Sequence, residues 1–201
     1  VLGFDDISFY RDHSPYFGAI AGRVANRIGD ARFTLDGAVY DLPPNEGPNQ
    51  LHGGPEGLAL QIWQIAEESE NSVRLTLFSP DGAMGYPGNL EIAVTYTLTG
   101  NRLEIDFAAE TDRSTPVNIV QHNYFNLMGG GDVLDHRLSF AAGAYTELGE
   151  GQIPTGAILP TKGTDLDFRQ ARRLADAQDP YRSARPSGLQ WLEARRSGSR
   201  P

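Results

Sequence analysis

The chain has 201 residues, a formal net charge of −9, no cysteine, and hydrophobic residues at 39%. That length suits one domain with a real core. The absence of cysteine excludes disulfides, thiolate zinc sites and thiol nucleophiles, and the acidic balance argues against nucleic acid as a partner, because phosphate binding needs clustered cations.

Gly and Pro (23 and 13 residues) predict many turns and short elements. Residues 1–10 show neither the basic start nor the apolar stretch of a secretory leader. The first clear element is a hairpin. Residues 32–35 (RFTL) and 38–42 (AVYDL) flank Asp36-Gly37, and an Asp-Gly pair between such runs signals a tight turn in which both residues take positive φ. Residues 61–66 and 72–79 read as further strands. Residues 90–98 and 102–107 alternate apolar and polar around Thr99-Gly100-Asn101, which predicts a second hairpin with one wet face. Residues 136–142 read as another strand. Only 167–175, with its Arg and Ala content, reads as helical. Frequent short strands without a βαβ rhythm predict an all-β sandwich or barrel. No apolar run is long enough for a helical membrane span, so no membrane partner is expected.

Charge divides the chain. Residues 1–168 carry 9 basic and 23 acidic groups, whereas 169–201 carry 8 and 3. The shift marks a compositional boundary near Phe168. Residues from 177 onward, rich in Arg, Ser, Pro and Gly, read as a disordered tail in which Trp191 and Leu192 stand out.

Four histidines are the first candidates for proton transfer, since imidazole titrates near neutrality without help. His52 lies in the loop Asn49-Gln50-Leu51-His52-Gly53-Gly54, where two glycines leave open space beside the ring. The competing reading is a solvated or capping residue. His122 ends an apolar run and precedes Asn123-Tyr124-Phe125-Asn126; a persistent strand would put His122, Tyr124 and Asn126 on one face, and a buried, hydrogen-bonded core residue is the alternative. Asn26-Arg27 lies just upstream of the first hairpin, where Arg27 can also serve as a partner for a surface carboxylate. His13 and His136 read as structural. A metal site built on His52 and His122 lacks any HxH or HExxH spacing.

Several segments, in this order, resemble the aldose 1-epimerase (galactose mutarotase) family. They are Tyr16-Phe17-Gly18-Ala19 with Gly22-Arg23-Val24-Ala25-Asn26-Arg27-Ile28, then residues 33–37, residues 49–54, and Asp81-Gly82 with 85–90. Thr115-Pro116-Val117-Asn118 with His122 and 124–127, Ile153-Pro154-Thr155-Gly156, and Gly163-Thr164 with Asp167-Phe168-Arg169 complete the set. The likeness runs from residue 1 to about 174. It implies an incomplete large antiparallel β-sandwich over 1–174, followed by a basic tail at 175–201.

The family interconverts the α and β anomers of free aldoses such as galactose and glucose. One group takes the proton of the C1 hydroxyl, another protonates the ring oxygen, and the opened sugar recloses on its other face. No metal or organic cofactor is implied, and the expected partner is a small sugar. The resemblance makes His122 the general acid, His52 a sugar-binding histidine, and Arg27 with Asn26 the pair that contacts sugar hydroxyls. It assigns a sugar-binding Asp and a basic Glu to C-terminal motifs that Asp176, Asp179 and Glu193 do not match. The chain is therefore expected to be a fragment lacking both ends and weak in catalysis, and the expected compartment is the cytoplasm. A sugar-binding module without catalysis, and a hexose-6-phosphate epimerase using Arg23 or Arg32 as cations, are the alternatives.

Overall fold

The structure, a computed structural model, describes residues 1–177, with backbone alone at 11–13. Of the tail expected at 175–201, residues 178–201 lie outside the described residues, and so do Asp179, Trp191, Leu192 and Glu193. The expectation for His13 concerns a side chain that is likewise not described. Among the described residues no helix is long and apolar enough to cross a membrane. The described residues form two compact units, Leu2–Tyr124 and 125–177.

The first unit carries a short helix α1 (Ser8–His13) and ten strands: β1 Ile20–Ala21, β2 Arg27–Ile28, β3 Arg32–Leu35, β4 Ala38–Asp41, β5 Gln50–Leu51, β6 Gln64–Glu68, β7 Ser72–Ser79, β8 Leu90–Thr99, β9 Arg102–Thr111 and β10 Val120–Gln121. All strand ladders are antiparallel. The β3–β4 hairpin turns at Asp36-Gly37, both at positive φ (51° and 79°), and stacks Phe33 on Tyr40 across the strands at 5.1 Å. β6–β7–β8–β9 make a four-stranded sheet. Its second hairpin is tighter than expected: Thr99 pairs with Arg102, so only Gly100 and Asn101 form the loop. Alternation along β8 puts Leu90, Ile92 and Val94 on a buried face and leaves Glu91 on the other. Leu90 and Ile92 pack with Leu58, Trp63, Leu77 and Ile119; a second cluster gathers Ala31, Leu42 and Tyr86.

Arg23 ties these pieces together. It is 2% exposed, and no carboxylate among the described residues hydrogen-bonds it. Its Nε donates to Ser79 Oγ at 3.1 Å, its Nη2 to the Ser79 and Pro80 carbonyls at 2.8 and 2.9 Å, and its Nη1 to the Pro87 and Gly88 carbonyls at 3.1 and 2.9 Å and to Thr115 Oγ1 at 3.3 Å. A fork of fixed donors can satisfy several carbonyls at once in a way a point charge cannot.

The second unit holds β11 (Arg137–Leu138), β12 (Ala144–Leu148), β13 (Pro154–Pro160) and β14 (Arg172–Arg173). Two expectations are corrected here. The strand at 136–142 shortens to β11, because the chain leaves the ladder for a stack of Phe140 on Phe168 at 5.6 Å. The helix at 167–175 is absent: Leu174 and Ala175 give their N–H groups to the carbonyls of His136 and Leu134, not to carbonyls one turn earlier. His136 Nε2 accepts from the Leu127 N–H at 3.0 Å, in keeping with a structural role.

Truncating Arg23 orphans several buried carbonyls, each worth about 1–3 kcal/mol when left unpaired. Arg23→Ala is expected to lower the unfolding free energy by at least about 3 kcal/mol, and Arg23→Lys to recover only part of it. Urea midpoints of the two variants against the parent check this; a parent-like midpoint for Arg23→Ala contradicts it.

Candidate active site

The predicted site residues Asn26, Arg27, His52 and His122 lie within the first unit, on short strands and the loops between them. β2 and β5 pair over just two positions, Arg27 with Leu51 and Ile28 with Gln50. The link continues one residue further through a reciprocal pair. The His52 N–H donates to the Asn26 carbonyl at 2.9 Å, and the Asn26 N–H donates to His52 Nδ1 at 3.0 Å. Asn26 and His52 both take positive φ (62° and 53°), which turns their side chains out of the two-residue ladder.

The glycines beside His52 are required by close packing, not by open space. A Cβ on Gly53 would lie 1.7 Å from the Gly22 carbonyl oxygen. The loop thus docks against the segment between β1 and β2 that carries Arg23.

His122 reaches the same place from the other side. It follows β10, which pairs with β1, and its N–H donates to the Ala19 carbonyl at 2.8 Å while its carbonyl accepts from Gly18 at 3.1 Å. The strand does not persist past Gln121 as the alternation required. Tyr124 still comes beside His122, with ring centroids 5.0 Å apart. Asn126 belongs to the second unit, where its Nδ2 donates to the carbonyls of Gly130 and Gly131. The His52 and His122 rings meet edge-on at 5.2 Å. Tyr16 closes the group, 4.6 Å from the His52 ring and 5.7 Å from that of His122.

Arg27 is held by Glu46: Nε donates to Oε2, and Nη2 to Oε1 at 2.7 Å. Its Nη1 donates to Asn26 Oδ1 at 3.2 Å. The structure therefore brings Asn26, Arg27, His52 and His122 together and adds two residues the sequence reading did not single out. Tyr16 stood inside a quoted motif without an assigned role. Glu46 sits in Asn45-Glu46-Gly47-Pro48-Asn49, a turn-forming stretch whose only signal was its place just before the His52 loop.

The two imidazoles are not equivalent. A backbone N–H can only donate, so His52 Nδ1 is an acceptor and the ring proton sits on Nε2. Burial, then the neighbouring His122, then Arg27 push the His52 pKa down from 6.5 to about 4, with Glu46 opposing. His52 is accordingly a fixed neutral donor. Neither ring nitrogen of His122 hydrogen-bonds a described residue, which leaves that imidazole open to a ligand. Burial and then Glu46 raise the Tyr16 hydroxyl above its ordinary range, so it stays protonated.

The cations weighed for a phosphorylated substrate are engaged elsewhere. Arg23 is buried on carbonyls, and Arg32 is an exposed hairpin residue paired with Asp41 at 2.5 Å. No group of three His, Cys, Asp or Glu among the described residues is placed to hold a metal. Two open grooves of about 390 and 570 Å³ lie on the polar face of β6–β9, away from the histidines. Arg74, the basic residue lining them, pairs with Glu67 at 3.4 Å.

Comparisons with known proteins bear on the chain as a whole. The aldose 1-epimerase family profile matches residues 1–190, and the chain belongs to that family. The galactose mutarotase of Rattus norvegicus is 46% identical over 183 residues, 90% of this chain and 53% of that protein. The aldose 1-epimerase of Escherichia coli is 43% identical over 177 residues, 87% and 51% respectively. Among solved structures, the aldose epimerase homologue from C. elegans superposes with a TM-score of 0.85 at 36% identity, covering 89% of this chain and 55% of that one. The galactose 1-epimerase of Lactobacillus acidophilus gives 0.79 at 32%, covering 88% and 54%. The fold class is therefore the all-β sandwich of these neighbours. The chain spans about half the length of the curated relatives it matches.

The depressed His52 pKa has a sign that can be worked out. Between about 4 and 6.5 the unfolded chain binds a proton that the folded chain does not, so the stability His52 contributes is complete above that window and is lost as pH falls through it. The urea midpoint is expected to drop across these pH values, less so in His52→Gln. Nitrogen shifts of the His52 ring are expected to report the Nε2–H tautomer until the pH nears about 4; titration near 6.5 contradicts the assignment.

Proposed function

We propose that the Arg27, His52 and His122 cluster is part of the site of an aldose 1-epimerase that interconverts the α and β anomers of free hexoses. The observation that carries this reading is the meeting of a guanidinium and two imidazoles of different character, in a chain of this family.

The reaction needs one proton removed from the C1 hydroxyl and one delivered to the ring oxygen. As the C1 carbonyl forms, the bond from C1 to the ring oxygen breaks and the ring oxygen takes the delivered proton. Rotation about the C1–C2 bond and the reverse steps give the other anomer. His122, whose ring nitrogens have no described protein partner, is the group suited to deliver that proton, entering the step as an imidazolium. His52, neutral with Nε2–H outward, donates a hydrogen bond to a sugar oxygen and orients it. Arg27 and Asn26 bind hydroxyls.

The proton acceptor is not supplied by Glu46, because both its oxygens are held by Arg27. The resemblance assigns that part to a Glu in a C-terminal motif. The engagement of Glu46 also favours a second reading, a sugar-binding module without catalysis.

Polarimetry on freshly dissolved α-galactose or α-glucose tests the proposal. The chain is expected to speed anomerisation above the spontaneous rate, and His122→Ala to cut that acceleration by about 10²-fold or more. Calorimetric binding of galactose without acceleration selects the second reading. Neither acceleration nor binding at millimolar sugar contradicts both.

A further inference from the structure

Glu46 has no role in the sequence reading, yet its surroundings hold it to one task. The turn that carries it is closed on itself: the Glu46 N–H donates to the Asn49 carbonyl at 3.1 Å, and the Asn49 N–H returns to the Glu46 carbonyl at 3.0 Å. Asn45 then fastens the turn to β5 from both sides of Leu51, accepting from its N–H on Oδ1 at 2.7 Å and donating from Nδ2 to its carbonyl at 3.0 Å. Asn49 Oδ1 accepts from the Asp30 N–H at 3.0 Å, which joins the turn to the chain just after β2. Leu51 is the residue that faces Arg27 in the β2–β5 pair. Strand pairing, the Asn45 bridge and the Glu46–Arg27 contact therefore form one closed ring. A carboxylate on a loose surface loop has no such frame.

The contact is also bidentate and half-buried, with side-chain exposures of 17% for Arg27 and 38% for Glu46. A planar guanidinium gripped on Nε and Nη2 has its plane fixed. Donor counting then decides what is left. Of the five N–H groups of Arg27, two go to Glu46 and one to Asn26 Oδ1. One N–H on each Nη remains without a partner among the described residues.

We propose that Glu46 is a positioning residue: it holds the Arg27 guanidinium in the one orientation that presents its two remaining N–H groups to a sugar beside His52. This deepens the sugar-site reading above and rests on it. Glu46 touches no reacting atom in this scheme. It acts through Arg27, and its negative charge offsets the Arg27 cation felt by His52.

Three variants of the full chain separate this from a merely structural ion pair. Glu46→Gln keeps the shape and loses the charge, Glu46→Asp keeps the charge on a shorter stem, and Glu46→Ala removes the grip. Urea midpoints first establish that each is folded. Galactose affinity is expected to fall by about tenfold or more in Glu46→Gln and Glu46→Ala, with partial recovery in Glu46→Asp. The His52 ring is expected to titrate at lower pH in Glu46→Gln than in the parent, a shift that a purely structural pair at a distance from His52 would not produce. A folded Glu46→Gln that binds galactose as the parent does, with His52 unmoved, overturns the proposal.

Should the parent bind no aldose, the sugar reading fails, and the nitrogen-resolved spectrum of Arg27 decides the rest. A slowly exchanging Nε–H that is lost in Glu46→Ala supports the grip. One that persists in Glu46→Ala overturns it.

Discussion

Arg23 places a full positive charge where water is excluded, and among the described residues its hydrogen bonds go to carbonyl and hydroxyl oxygens. Such a charge is tolerated only when nearly every donor is satisfied, so the loops that bring Ser79, Pro80, Pro87 and Gly88 to it have little freedom. The same stretch of chain carries the site. The Arg23 carbonyl accepts from Asn118 and Asn118 accepts from Ala25, one residue before Asn26. The Gly22 carbonyl accepts from Leu58 and lies against Gly53, beside His52. The buried Arg23 guanidinium thus helps set where the Arg27 guanidinium and the His52 imidazole stand.

The chemistry of the cluster comes from unequal hydrogen bonding of like groups. Arg23 and Arg27 are the same side chain, but one is spent on carbonyl and hydroxyl oxygens and the other keeps donors to offer. His52 and His122 are 5.2 Å apart, but a single backbone N–H locks the first as a neutral donor, while the ring nitrogens of the second have no hydrogen-bond partner among the described residues. Two imidazoles both charged at that separation would repel. The depressed pKa of His52 keeps that ring neutral and avoids the repulsion.

Much of this was legible in the sequence where local rules decide the outcome. Asp36-Gly37 announced its hairpin, and the alternation in residues 90–107 announced two neighbouring strands, although Leu103 and Phe107 of β9 stay exposed instead of lining a buried face. The likeness of the motifs carried Asn26, Arg27, His52 and His122. What was not legible depends on contacts distant in sequence. Two-residue strands such as β2 and β5 carry no periodicity, so nothing in residues 45–49 showed that Glu46 would face Arg27. The Asn26–His52 bond joins a backbone donor to a ring nitrogen across 26 positions, which no pattern encodes. The Arg and Ala content of 167–175 suggested a helix, and tertiary hydrogen bonds to Leu134 and His136 overrode it.

The central claim is spatial: a hexose is held between the Arg27 guanidinium and the two imidazoles. A crystal structure of the chain grown with galactose tests it most directly. The account predicts sugar oxygens within hydrogen-bond reach of His52 Nε2, a ring nitrogen of His122 and an Nη of Arg27, with the Asn26–His52 and Glu46–Arg27 bonds intact. Galactose bound instead in the grooves on the polar face of β6–β9, or at a site touching none of the three side chains, would contradict it.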